Sequence, residues 1–183
     1  MLVVLSALVA GPCVLASACR LAWAVLPTWL DPQLVLDALN VHRFDDWVPL
    51  QRLLATCDGA IWERDLFAAM GERDPGFRIA LVNEQLRELD WRAQRWSRVP
   101  RVCASVATSA GLLFACVALV PGLGLQVGDD RAALVSAVDA FAVGIAGTSF
   151  CVAVHVRARH VIGERLSAAD RLVDRLEALA VAA

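Results

Sequence analysis

Leu2 to Cys19 is a run of 18 residues without one charged side chain, and Val102 to Val120 is a second, of 19 residues. A third window, Ala132 to Val156, is interrupted only by Asp139 and His155. A helix needs about 20 apolar residues to cross a hydrocarbon core of roughly 30 Å. The second and third windows meet that length, and the first is near its lower limit, with Arg20 at its end reaching the interface as long Arg side chains can. These windows predict an all-α membrane protein with three spanning helices. No basic residue precedes the first window, so it reads as a retained helix and not a cleaved signal. Leu15 to Cys19 only loosely suggests a lipoprotein cleavage site.

Composition supports the division. The chain is 58% hydrophobic with a mean hydropathy of +0.59, yet 20% of its residues are charged, so charge must be segregated from the apolar runs. A net charge of −2 gives no reason to expect a nucleic acid partner. Of the six cysteines, none forms a Cys-x-x-Cys pair and five lie in apolar runs, where Cys behaves as a small hydrophobe. Neither a disulfide framework nor a metal site is expected, and no cofactor motif appears.

Arginine placement predicts the orientation. Ten of the 17 lie in residues 31–101 and five from residue 157 onward, but only Arg131 lies between the second and third windows. Basic residues flank the cytoplasmic ends of membrane helices. The N-terminus is therefore expected outside, with Pro121 to Arg131 as an external hairpin and the C-terminus in the cytoplasm. The expected organisation is residues 1–30 as the first spanning helix and its interfacial end, 31–100 as a cytoplasmic helical section, 101–157 as a membrane hairpin and 158–183 as a cytoplasmic amphipathic tail.

Inside the cytoplasmic section, Asp45 or Asp46 is placed to cap a helix ending near Asp58-Gly59. A second helix is predicted from Ala60 to Met70. A third carries Ile79, Val82, Leu86, Leu89, Ala93 and Trp96 on one stripe and runs into the second membrane helix at Pro100. The tail repeats the device with Ile162, Leu166, Ala169, Val173, Leu176 and Ala180. Two such stripes can pair with each other or with neighbouring subunits.

Asp139 is the residue most suggestive of chemistry. It lies about 10 Å into the third window, where an acid is costly unless it meets protein or water. Proton exchange and an interfacial acid reaching the outer headgroups are the two readings. Gly111, Gly144 and Gly147, with Ala140, Thr148 and Cys151, give small-xxx-small spacings suited to close helix packing. His155 reads as a headgroup-level anchor. No catalytic set is expected, because no nucleophile–base pair or phosphate-binding loop is present.

This arrangement resembles the MotA/TolQ/ExbB proton-channel family, in particular its TolQ/ExbB type. The likeness in sequence covers about Ile79 to the C-terminus. Ala80 to Leu86 looks like the segment before the family's hairpin, and Ala107 to Leu113 resembles the entry to its second-helix motif. Asp139-Ala140-Phe141 is similar to the family's Glu-Ala-Leu, with Gly147 on its later glycine. Three positions depart: the family's two threonines fall on Ala115 and Gly144, and its inner proline on Ala153. The resemblance implies an oligomeric, pentameric bacterial inner-membrane complex around a single-span partner of the ExbD/TolR type, driven by the proton-motive force. It implies a proton path through Asp139, with Thr108, Ser109, Thr148 and Ser149 as stand-ins for the missing threonines. The rival reading is a non-conducting membrane scaffold or assembly protein of the same architecture.

Overall fold

In the computed structural model, residues 2–25, 31–41, 60–123 and 130–182 are described. Among the described residues six helices follow in chain order: α1 Leu2–Val25, α2 Pro32–Val41, α3 Ile61–Met70, α4 Pro75–Gln94, α5 Val99–Leu123 and α6 Asp130–Ala182. No strand occurs among the described residues, so the fold is all-α. Among the described residues three helical stretches, Leu2–Ala24 and stretches within Pro75–Val120 and Arg131–Ala178, are long and apolar enough to cross a membrane. The helix expected to start at Asp45 or Asp46 lies outside the described residues.

The chain divides into two compact units: residues 1–22 with 96–159, and residues 23–95 with 160–183. The first unit is a bundle of α1, α5 and the first part of α6. Its interior is made of small residues: Ala10, Ala104, Ala107, Ala115, Ala118, Ala137, Ala140 and Cys151 are all buried. Large apolar side chains point out instead, among them Val4, Leu8, Leu15, Leu112, Leu113, Val120, Leu134 and Val138. A water-soluble bundle has the reverse arrangement. In lipid there is no hydrophobic drive to bury leucine, and small residues let backbones approach so that dispersion and hydrogen bonds hold the helices together.

Contacts fix the directions. Ser6 donates to the Ala140 carbonyl at 3.0 Å, and Ser17 to the Cys151 sulfur at 3.2 Å, so α1 runs parallel to α6. Leu2 packs against Ala115, Ala118 and Ala137, and Cys13 against Ala104, so α1 is antiparallel to α5. Helix α5 continues through Pro121-Gly122 to Leu123, past the point where the sequence suggested a stop. Proline perturbs the turn before it, not the residues after it, so a final half-turn can follow.

The second unit has a conventional core. Trp62, Leu66, Phe67 and Met70 from α3 meet Val82 and Leu89 from α4 and Ala169, Leu172, Val173 and Leu176 from the end of α6. The two amphipathic stripes read in the sequence therefore pair with each other, with α3 as the third side. Trp62 Nε1 donates to the Gln85 carbonyl at 3.0 Å, which satisfies the indole inside this core. Asp74 caps α4 by accepting from the Gly76 amide at 3.0 Å, with Pro75 in the first turn.

Both ends of the α4 stripe depart from expectation. Ile79 is 50% exposed, and Trp96 is 56% exposed and lies beyond the helix. Trp96 adopts φ 65°, a left-handed conformation uncommon outside glycine. Thus α4 ends at Gln94, and a turn at 95–98 separates it from α5.

Candidate functional site

The membrane acid is built on α6. Asp139 is exposed on the outside of the bundle, although its neighbour Ala140 is fully buried. The Ser6 bond to the Ala140 carbonyl pins the backbone of α6 to α1 beside the acid. Residues on the same side of α6 as Asp139 include Val135, Ala142 and Ala146, all exposed. The carboxyl thus stands at the edge of an outward face made largely of small side chains.

The hydroxyl residues do not gather around it. Thr148 follows Asp139 by nine residues, which is roughly 13 Å along the helix and about half a turn around it. Thr148 instead faces α5, where its Oγ1 lies 2.6 Å from the Oγ1 of Thr108. The Thr108 hydroxyl is also 2.9 Å from the Ala104 carbonyl, and the Thr148 hydroxyl 2.8 Å from the Gly144 carbonyl and 3.2 Å from that of Ala104. Two hydroxyl protons serve this set. One bridges the threonines and the other goes to a carbonyl, so either threonine can donate across the interface. The pair is a helix–helix clasp, supplied locally with acceptors. Ser109 and Ser149 are both exposed.

Gly111, Gly144 and Gly147 lie at close helix contacts within one chain. A Cβ on Gly111 would lie 2.7 Å from the Gly144 Cα, and one on Gly147 would lie 3.1 Å from the Ala10 Cβ and 3.5 Å from the Ala107 Cβ. These faces hold α1, α5 and α6 to one another. An oligomer would therefore use other surfaces than the hairpin glycines.

A cluster not read from the sequence lies in the same bundle. Cys13 from α1 and Cys151 from α6 are buried together with Ala104, and Cys103 from α5 packs against them. The Cys13 thiol interacts with those of Cys103 and Cys151. Cys151 is wholly enclosed; it accepts from Ser17 and its Sγ lies 3.7 Å from the Cys13 carbonyl. Each cysteine comes from a different apolar window. Their convergence depends on helix register, which no single window reveals. All three are free thiols. Among the described residues, no group of three or more His, Cys, Asp or Glu side chains is placed to hold a metal ion.

Arg20 is 4% exposed, enclosed by protein and not extended from the helix end. His155 is half-buried. No family model, no curated protein and no solved structure matches this chain.

Proposed function

We propose that this chain is a subunit of an oligomeric bacterial inner-membrane complex that works by presenting Asp139 to another membrane chain, coupling proton exchange at that carboxyl to work across the envelope. The N-terminus is outside and the C-terminus cytoplasmic. The observation that carries the reading is the exposure of Asp139 on a membrane-spanning helix whose interior is otherwise small and apolar. A carboxyl facing lipid costs several kcal/mol, about 2.5–3.5 for an aspartate at a helix centre. Covering by another copy of the chain, or by a single-span partner as the resemblance to TolQ/ExbB implies, removes that cost.

In this reading the proton path does not run through the threonines. Thr108 and Thr148 are committed to each other on the far side of α6, so Asp139 exchanges its proton with groups on a neighbouring chain or with water held there. A second reading is favoured by the same clasp: a non-conducting scaffold of this architecture, in which Asp139 is an interfacial acid and the threonines only pack. A hydrophobic carbodiimide separates the two, since it modifies protonated carboxyls within a membrane. Proton exchange at Asp139 gives labelling at neutral pH in native membranes, lost in Asp139→Asn. An ionised acid among headgroups stays unlabelled, which would leave the scaffold reading.

A further inference from the structure

We propose that Cys13 and Cys103 form a redox-active dithiol within the membrane bundle, oxidised by a lipid-soluble two-electron acceptor of the quinone class to a disulfide joining α1 to α5. The two residues lie on antiparallel helices at one level. Ala10, one turn before Cys13, and Ala107, one turn after Cys103, converge on Gly147, where a Cβ would lie 3.1 and 3.5 Å from their Cβ atoms. Such small residues allow the close backbone approach that a disulfide requires, with Cα atoms about 4.4–6.8 Å apart.

The cluster's two other features separate the roles of its thiols. Cys13 is 9% exposed and Cys103 is half-buried, so Cys103 opens to the bundle surface and Cys13 backs it from within. Cys151 is fully enclosed and held by Ser17, which removes it from competition. The chemistry of the acceptor follows from the surroundings. Cys103 is the second residue of its uncharged window, just inside the exposed Arg101, and the nearby Val102 and Val106 are 58% and 44% exposed, so an oxidant reaching this thiol from the lipid side must carry its reactive ring at the hydrocarbon boundary. A quinone meets that requirement and accepts two electrons with two protons.

The step balances as follows. The Cys103 sulfur bonds to the quinone ring as its proton passes to the ring. The Cys13 sulfur then attacks Cys103 Sγ, the sulfur–ring bond breaks, and the ring leaves as quinol with the Cys13 proton. Two thiols are oxidised to one disulfide, and one quinone is reduced.

The test uses the reduced full-length chain in phospholipid vesicles with a fully substituted alkyl benzoquinone, which cannot stay attached by ring substitution. Bridges are mapped by differential alkylation and peptide analysis, and quinol by absorbance. The expected result is a Cys13–Cys103 bridge and one quinol per chain. Both should be lost in Cys103→Ser and in Cys13→Ala, and kept in Cys116→Ser. The alanine suits the small-residue interior, so loss there reflects the thiol and not the fold. Ferricyanide, confined to water, should form the bridge far more slowly. No bridge in the wild-type chain, undiminished quinol in Cys103→Ser, or an equal rate with ferricyanide would overturn the proposal.

Discussion

Gly111 and Gly144 meet backbone to backbone: a Cβ on either residue would stand 2.7 Å from the Cα of the other. At that separation no flexible side chain can give way, so the two membrane-spanning helices must part. Gly111→Ala should destabilise the bundle by about 1–3 kcal/mol, the range for overpacking a tight interior, and Gly111→Leu by more. Leu112, which points outward, should tolerate Leu112→Ala with little change. Unfolding titrations in mixed micelles compare the variants; equal losses at 111 and 112 would contradict this packing.

Gly147 reports on a different contact, because its neighbours are Ala10 of α1 and Ala107 of α5. Gly147→Leu should release α1 from the hairpin. Cysteine-directed labels on α1 and α6 should then show increased separation. An unchanged distance would argue against α1 as a packed member of the bundle.

The Thr108–Thr148 clasp should show up as coupling. In a double-mutant cycle with valine at each position, the interaction should amount to about 0.6 kcal/mol, the average for hydrogen bonds between membrane helices, and to no more than about 1.7, the largest found. Additive effects would mean that the hydroxyls act separately, each satisfied by its own helix carbonyl.

Leu176 is fully buried among α3 and α4 residues. Leu176→Ala should therefore cost the second unit about 2–5 kcal/mol. Trp62 fluorescence follows this unit's unfolding, because the indole sits in the same core. A cost below about 1 kcal/mol would mean that this end of α6 does not belong to the core, since buried leucine truncations rarely cost so little.

Much of this fold is legible in the sequence, for reasons that are local. Uncharged length marks the spanning stretches, and a three-four period marks the stripes that meet around Leu89 and Val173. What escapes is register between distant helices, which brings Cys13, Cys103 and Cys151 together. The left-handed turn at Trp96 also escapes, since tryptophan carries no signal for it. The candidate proton path was partly decidable: a nine-residue spacing already puts Thr148 on the opposite side of α6 from Asp139. The resemblance groups the two, and the helical period sets them on opposite sides of α6.

Asp139 and Thr148 thus provide an internal contrast on the same helix, one side chain exposed on the outside of the bundle and one held against Thr108 of α5. A photo-activatable cross-linking residue at position 139, and separately at position 148, tests the proposed role in native membranes. The expected result is a cross-link from position 139 to another protein chain, either a second copy or a single-span partner, and from position 148 only within the chain. Cross-links from position 139 to lipid alone, with chain-to-chain products from position 148, would contradict it.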